Sequence, residues 1–154
     1  MTTDSLALPA DPSAADLARR AIRLVEEGVG RGDFAVLDEL MAPDIVEHQR
    51  GNGDGIEGAK AVSRTLNRWM SEFSLTVEDV AVNGDTVWTR NKGRGVNTGS
   101  VMGHEPTGRP VEVDVVDVLR FADGRAVEHW GVADQVGLLL AIGAIGGKPG
   151  PGAG

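Results

Sequence analysis

Cysteine and tyrosine are both absent from this chain of 154 residues. Without cysteine, the chain has no disulfide framework, no thiolate nucleophile and no thiolate metal site. Without tyrosine, it lacks a common proton donor and oxyanion ligand. Aromatic residues are also scarce, at 4% of the chain. Any reaction must therefore use Asp, Glu, His, Arg, Lys, Ser or Thr.

Long apolar runs and basic clusters are missing as well. No apolar stretch reaches the length of a membrane span, and residues 1–10 lack the basic and apolar segments of a secretory signal. The chain carries 15 basic and 23 acidic residues, a formal net charge of −8. Such a surface repels phosphate backbones and anionic lipids. We therefore expect a cytoplasmic protein with neither nucleic acid nor a membrane as its partner.

The composition indicates one globular domain. Hydrophobic residues make up 41% of the chain, enough for a single core at this length. Residues 1–10 are unpatterned and predict a flexible arm. Residues 146–154 are too rich in Gly and Pro to pack and predict a flexible tail. The domain itself is expected over residues 11–145.

Two helices are predicted at the start of this domain. Asp11 can cap the first helix and Pro12 occupies its first position, while the glycine cluster at 28–32 ends it. Asp33 can cap a second, shorter helix that Pro43 ends. Both helices carry an apolar face, as expected for elements that pack on a core.

A third helix is predicted after a glycine-rich loop at 50–55. Its apolar side is formed by Ala59, Val62, Leu66, Trp69 and Phe73. Residues 44–49, before the loop, alternate weakly and predict a short strand.

From residue 74 the hydrophobic period changes from helical to two, which indicates β-strands. The predicted strands cover 75–82, 87–96, 111–121 and 126–132, with turns at 83–85 and 123–124 and a last helix at 134–142. Helices followed by a meandering antiparallel sheet are typical of the α+β class.

The motif scan finds neither a phosphate-binding glycine loop nor a Gly-x-Ser-x-Gly nucleophile elbow. The three histidines lie far apart, without the helical His-to-His spacing of a zinc site. Asp44, Glu47 and His48 offer metal-ligand chemistry, but adjacent strand positions point to opposite faces. We therefore predict no metal site and no cofactor.

The segment from Glu128 to Asp134 is the most informative for catalysis. On a strand, Glu128 and Trp130 share one face and His129 the other, and an extended chain places Asp134 with Trp130. A carboxylate beside an indole in an apolar cavity has a raised pKa, which suits proton exchange near neutral pH. Alternatively, Asp134 caps the helix that follows it. The two roles can coexist.

Other polar and aromatic residues each allow a functional and a structural interpretation. His48 ends the first strand and is either a pocket base or a strand-end histidine. Trp69, Phe73 and Trp88 line a pocket or belong to the core, and His104 lies in a loop that covers a pocket mouth or only the surface.

The strand at 111–121 mixes charges with valines. Asp114 and Arg120 share one face, and Asp117 shares the other with valines, so one of the two sets is solvated. A buried charge needs a partner, which an inward Arg120 opposite Asp134 would supply. The sequence leaves the register of this strand open.

Four short strings carry a family resemblance. They are Val46-Glu47-His48-Gln49, the segment 103–109, Asp117 to Phe121 with Asp123-Gly124, and Glu128-His129-Trp130 with Asp134. In order and spacing they resemble the SnoaL-like polyketide cyclase and ester cyclase family. The resemblance covers residues 17–143, nearly all of the predicted domain.

This resemblance implies an NTF2-like fold, a cone of N-terminal helices packed on a curved antiparallel sheet that encloses a pocket. Family cyclases close the last ring of aromatic polyketides by an intramolecular aldol reaction, without a cofactor, with an Asp as acid and base. By position Asp134 is similar to that Asp, and His48 to a pocket histidine. The resemblance also implies a homodimer or homotetramer formed through the sheet.

One feature of the family has no counterpart in this chain. Aromatic polyketide cyclases carry a further pocket histidine on the penultimate strand, whereas no histidine lies between His104 and His129. Relatives of this fold also catalyse hydroxylation, epoxide opening, dehydration and isomerisation, and some only bind ligands. The resemblance therefore leaves the reaction open.

The leading hypothesis is a cofactor-independent acid–base enzyme acting on an apolar, oxygenated small molecule, most consistent with a polyketide-type cyclase of secondary metabolism such as antibiotic biosynthesis. Asp134 and His48 are the predicted catalytic residues. The predicted substrate-binding residues are Trp69, Phe73, Trp88, Met102, Asp117, Arg120, Glu128 and Trp130. The alternatives are a non-catalytic ligand-binding protein and a hydrolase that activates water, which requires two or three inward polar groups around one water.

Overall fold

A computed structural model describes residues 6–146 of the chain. Its elements are α1 (Pro12–Arg23), a π-helical segment (Leu24–Gly30), α2 (Phe34–Leu40), β1 (Met41–Glu47), α3 (Gly55–Trp69), β2 (Met70–Asn83), β3 (Thr86–Asn97), β4 (Pro110–Ala122), β5 (Arg125–Ala133) and α4 (Gln135–Ala141). Residues 1–5 of the predicted arm and 147–154 of the predicted tail lie outside the described residues. Within those residues, none of the helices is long and apolar enough to cross a membrane.

The first two helices begin at the predicted caps. Asp11 Oδ1 accepts a hydrogen bond from the Ala14 amide at 2.9 Å, and Asp33 Oδ1 accepts one from the Ala35 amide at 3.1 Å. The first helix continues as the π-helical segment, in which Gly28 packs against Leu37. A Cβ at Gly28 would lie 2.6 Å from Leu37 Cδ2. The glycine cluster therefore brings this segment close to its neighbours and also ends the helix.

The ends of two helices differ from the prediction. The second helix ends at Leu40, and β1 already begins at Met41, so Pro43 lies within a strand rather than at a helix end. A proline is tolerated there because β1 is an edge strand with an irregular register between Met41 and Val46. The third helix ends at Trp69, so Phe73 belongs to β2.

The five strands form one open sheet in the order β1-β5-β4-β3-β2. The strands from β2 to β5 pair antiparallel as predicted, but β1 runs parallel to β5, so the sheet is mixed. The register shifts twice in β2 and once between Arg120 and Phe121. Such bulges bend a sheet and increase its twist.

The helices pack on the concave face of the sheet, which confirms the predicted α+β class. The main core cluster includes Ile22, Leu24, Leu37, Leu40, Val77, Val87, Leu119 and Phe121. A second cluster contains Met70, Val101, Val111, Leu138 and Ile142. Leu6 and Leu8 pack against the main cluster, so the last residues of the predicted arm contact the fold.

Candidate active site

A cavity of about 460 Å³ opens on the concave face of the sheet. Its wall is mostly apolar and takes residues from α3, all five strands and both core clusters. Of the predicted site residues, the cavity wall contains Trp69, Phe73, Met102, Asp117 and Asp134. Cavities of this size and polarity are typical of small-molecule sites.

The other five predicted site residues do not line the cavity. Trp88, Arg120, Glu128, Trp130 and His48 belong to the opposite face of the sheet, and the prediction that they face the pocket is wrong. The reason is the register. The buried side chains at 119 and 121 turn the odd positions of β4 inward. The even positions therefore face outward, and β4 carries Asp117 rather than Arg120 into the cavity.

On the outer face, these residues contact one another. The rings of His48 and Trp130 are stacked, with centroids 4.5 Å apart and planes at 6°. His48 Nε2 also lies 3.3 Å from Glu128 Oε1, and Arg120 forms an ion pair with the same carboxylate. Arg120 therefore pairs with Glu128 and not with Asp134, the partner that an inward arginine would have taken.

Asp134 lies at the edge of the cavity and caps α4. Its Oδ1 accepts a hydrogen bond from the Gly137 amide at 2.7 Å, which confirms the predicted cap. The residue is exposed, and the Trp130 indole lies on the outer face with 38% of its surface accessible. The expected burial of Asp134 beside that indole is therefore wrong.

The polar centre of the cavity is a chain of three side chains, Glu47, His129 and Asp117. His129 Nδ1 donates to Glu47 Oε2 at 2.9 Å, and Nε2 donates to Asp117 Oδ1 at 3.0 Å. The end of β1, the middle of β5 and the middle of β4 supply the three residues, and these strands are adjacent in the sheet. The side chains of Glu47, His129 and Asp117 are only 9%, 18% and 14% exposed, respectively.

Amide groups hold both carboxylates from behind. Asn91 is fully buried on β3, and its Nδ2 donates to Asp117 Oδ2 at 2.7 Å. The backbone amide of Gln49 donates to Glu47 Oε1 at 2.7 Å, and Asn52 Nδ2 approaches Oε2 at 3.4 Å. Each carboxylate is therefore fixed on two sides.

These contacts determine the charges of the hydrogen-bonded side chains. Burial alone disfavours the imidazolium, but hydrogen bonds to Asp117 and Glu47 outweigh it and raise the pKa of His129 to about 9. Burial also disfavours ionised Glu47, but its bonds from His129 and from the amides lower its pKa overall. At neutral pH the ring is therefore a cation that donates to both of its carboxylate neighbours.

This arrangement suits proton transfer rather than metal binding. Within residues 6–146, no three His, Asp or Glu side chains are arranged to hold a metal ion. The three groups of the chain are close together, but both ring nitrogens are directed at carboxylate oxygens and not at a common point. A carboxylate that faces an apolar cavity and is hydrogen-bonded to an imidazolium can accept a proton and return it.

Sequence reasoning missed Glu47 and His129 as a functional pair. The sequence indicates only metal-ligand chemistry for Glu47, and the predicted inward position of Trp130 turns His129 away from the pocket. One signal was present in the strand. His129 shares its face with Gly131 and Ala133, whose small side chains leave room for a cavity. In the structure, Val132 on the opposite face is 72% exposed.

The family model for SnoaL-like polyketide cyclases matches residues 19–142. The chain belongs to this family. The NTF2-like cone that the resemblance implied is thereby confirmed, as four helices on an open five-stranded sheet, and the fold is that of small-molecule enzymes.

Solved structures of the SnoaL-like fold support this assignment. IdmH from Streptomyces antibioticus, described as a candidate polyketide cyclase, is 35% identical over 82% of this chain and 98% of its own, with a TM-score of 0.74. TsrD from Streptomyces laurentii is 27% identical over 89% and 100%, with a TM-score of 0.75. AclR from Streptomyces galilaeus, a candidate hydroxylase, is 26% identical over 88% and 86%, with a TM-score of 0.77. Comparison with curated proteins gives no match.

Proposed function

We propose that this protein is a cofactor-independent acid–base enzyme that closes a ring in an apolar, oxygenated small molecule, in the manner of a polyketide cyclase. The proposal depends mainly on one observation, the Glu47–His129–Asp117 chain on the wall of an apolar cavity. Membership in the SnoaL-like family and the likeness to IdmH support ring closure as the reaction.

Asp117 is the proposed base. Glu47 is the weaker candidate because its pKa is lowered and its oxygens accept from His129 and from the amides of Gln49 and Asn52. Asp117 lies at the centre of the wall between the inward side chains of Val115 and Leu119. His129 supports the anion by donating to Oδ1.

The proposed reaction is an intramolecular aldol addition. Asp117 removes a proton from the carbon next to a carbonyl, and the resulting enolate carbon forms a bond to a second carbonyl carbon of the same molecule. The electron pair of that second carbonyl moves to its oxygen, which takes the proton from Asp117. Asp117 is thereby returned to its anionic form. No atom is lost and no electron acceptor is needed.

The test measures exchange of the α-hydrogens of 2-tetralone, an apolar bicyclic ketone, for deuterium in D₂O by proton NMR. We expect the protein to accelerate exchange, and Asp117→Asn to remove at least nine-tenths of the acceleration, because an amide is not a base in this range. Asp114→Asn is the matched control, since Asp114 lies on the same strand but faces outward and pairs with Lys92. Equal rates for Asp117→Asn and the wild-type protein would rule out the assigned base.

Asp134 is the alternative base, because it borders the same cavity. The substitution Asp134→Asn separates the two assignments, since asparagine also caps helices. We expect Asp134→Asn to retain most of the exchange rate. A loss with Asp134→Asn and retention with Asp117→Asn would make Asp134 the base instead.

Water activation is the second candidate reaction. Its specific support is the number of inward polar groups, since Glu47, Gln49, Asn52 and Asp117 all border the cavity. It predicts that styrene oxide is opened to a diol that carries one oxygen from ¹⁸O-labelled water. Ligand binding without exchange or epoxide opening would instead favour the non-catalytic alternative.

The partner expected for this protein is a second copy, bound through the outer face of the sheet. An outer apolar strip of Trp88, Val116, Trp130 and Val132 is exposed there, which is unusual for a free surface. The charges beside this strip pair within the chain, with cations at 90, 92 and 94 and anions at 78, 112 and 114. These six side chains therefore add no net charge to this face, which limits the local repulsion between two copies that each carry a charge of −8.

A further inference from the structure

Gly131 lies on β5 where a side chain would not fit. A Cβ built on Gly131 would overlap Gln49 Oε1 and would lie 2.9 Å from Gln49 Cδ and 3.0 Å from Asp117 Oδ1. The amide of Gln49 therefore packs directly on the Gly131 backbone, beside the proposed base. Gly131 is also the cross-strand partner of Asp117 in the sheet.

The conformation of Gly131 does not explain why glycine occupies this position. It is not among the residues with a positive φ, and it lies within a regular strand. Glycine weakens a strand, and it usually occurs inside one where another group approaches the backbone closely. Here the group that approaches is the side chain of Gln49.

The Gln49 amide is available for a ligand. Its backbone is held, because its N–H donates to Glu47 Oε1 and its carbonyl accepts from the Asn52 amide. In the part of the chain that the structure describes, its side-chain amide forms no hydrogen bond, and the residue is half-buried on the cavity wall. A primary amide offers two N–H donors and one acceptor.

We propose that the Gln49 amide, seated in the notch that Gly131 leaves beside Asp117, donates a hydrogen bond to the substrate oxygen that becomes negative when Asp117 removes the proton. Gln49 is then a catalytic residue and Gly131 a positioning residue that acts through it. This inference depends on the proposed function for the identity of the reaction, but the notch and the free amide are independent of it.

The expected effect follows from what oxyanion donors contribute elsewhere. Removal of one enclosed donor typically lowers kcat by about a hundredfold to a thousandfold. Because Gln49 is only half-buried, we expect the rate of 2-tetralone exchange to fall on the order of tenfold to a hundredfold in Gln49→Leu. Gly131→Ala should have the same effect, because its methyl group displaces the amide.

Binding of two aromatic probes tests the contact without turnover. 2-Naphthol carries its hydroxyl where the enol of 2-tetralone has its oxygen, and 2-methylnaphthalene has the same shape without the oxygen. We expect the wild-type protein to prefer 2-naphthol by roughly tenfold, the worth of a good hydrogen bond, when both are measured by competition calorimetry. Gln49→Leu, which removes the amide, and Gly131→Ala, which displaces it, should each lose this preference. Gln49→Asn should lose it too, because asparagine is too short to reach.

The double variant Gln49→Leu/Gly131→Ala decides whether the two residues act as one unit. We expect it to be no worse than Gln49→Leu alone, because Gly131 has nothing left to position. Gly146→Ala is the control for adding a methyl group to a glycine, since none of residues 6–146 would lie within 4 Å of that methyl group. Fully additive losses would overturn the coupling.

A pH profile separates positioning from damage to the base. A methyl group at 131 also approaches Asp117 Oδ1, which accepts from His129. If Gly131→Ala acts through Gln49, the pH dependence of exchange keeps the wild-type inflections. Shifted inflections would show that Gly131→Ala disturbs Asp117 and His129 instead, and would overturn its assigned role.

The two proposals fail in different ways. A wild-type protein that prefers 2-naphthol but exchanges no α-hydrogen contradicts the proposed reaction and retains the binding contact. A protein that exchanges α-hydrogens through Asp117 with no effect of Gln49→Leu contradicts this inference alone.

Discussion

His129 links two carboxylates on different strands, with Nδ1 2.9 Å from Glu47 Oε2 and Nε2 3.0 Å from Asp117 Oδ1. The buried His129 cation balances the charges of both carboxylates, so each of the three side chains depends on the other two. This dependence makes the chain testable by pH and by substitution, whether or not a substrate is known.

Stability is expected to fall as the pH rises from 6.5 to 9. The pKa of His129 is raised from 6.5 to about 9, so the folded protein holds this proton more tightly than the unfolded chain. The contribution is complete below pH 6.5, amounts to about 3 kcal/mol for such a shift, and is lost as the pH passes 9. Urea unfolding between pH 6 and 10 measures it. A flat stability curve over this range would contradict the raised pKa.

The variant His129→Gln is expected to be destabilised at pH 7 by about 3–5 kcal/mol, because it leaves two buried carboxylates without their cation. Part of the loss should be recovered at pH 5, where a buried carboxyl group can take up a proton. Urea unfolding at both pH values checks this. The matched control is His104→Gln, which changes an exposed loop histidine.

Replacement of Asn91 tests the support behind the proposed base. Asn91→Asp places a second carboxylate where Nδ2 now donates to Asp117 at 2.7 Å. Two carboxylates at this distance cannot both ionise, so the variant should be less stable at pH 8 than at pH 5 by more than the wild-type protein is. Asn91→Leu removes the donor without adding charge and should cost about 1–3 kcal/mol. An Asn91→Asp variant with the pH response of the wild-type protein would contradict this assignment.

The outer apolar strip is expected to hold a homodimer. Trp130→Glu and Trp88→Glu each place a charge at the proposed interface, and sedimentation velocity should show a shift from dimer to monomer. Glu105→Lys, in the exposed loop before β4, is the control for a change of charge. A wild-type protein that sediments as a monomer at all concentrations would contradict the interface.

The cap of α4 can be separated from any chemistry at Asp134. Asp134→Ala should lower stability by about 1 kcal/mol, because the Gly137 amide loses its acceptor, whereas Asp134→Asn should change it little. Thermal unfolding of both variants gives the comparison. Equal losses from Ala and Asn would mean that the carboxylate has a role besides capping.

Much of the fold could be predicted from local patterns. Asp11 and Asp33 cap helices wherever a helix follows them, and the turns at 83–85 and 123–124 carry residues suited to tight hairpins. The resemblance of the short strings to the family also held over nearly the whole domain. These signals succeed because caps, turns and short motifs depend on neighbouring residues in the chain.

The direction in which each strand faces could not be predicted in the same way. Period-two alternation divides β5 into a His129 face and a Trp130 face, but it does not say which is inward. The sequence-based prediction turns the aromatic residue inward, whereas in the structure Trp130 faces outward and His129 inward. A shift of one residue reverses every side chain, and two of the five misplaced residues, Glu128 and Trp130, follow from that choice.

By itself, the sequence determined the class of the fold, the caps and turns, the supply of acidic and histidine side chains and the absence of thiol and phenol chemistry. Only the tertiary structure decided that Glu47, Asp117 and His129 meet. The β4–β5 hairpin brings Asp117 to His129, and the parallel pairing of β1 with β5 brings in Glu47, which is 82 residues away from His129 in the sequence. The physical reason is that packing of the apolar core selects the register of the sheet. The chemistry of the cavity follows from that register.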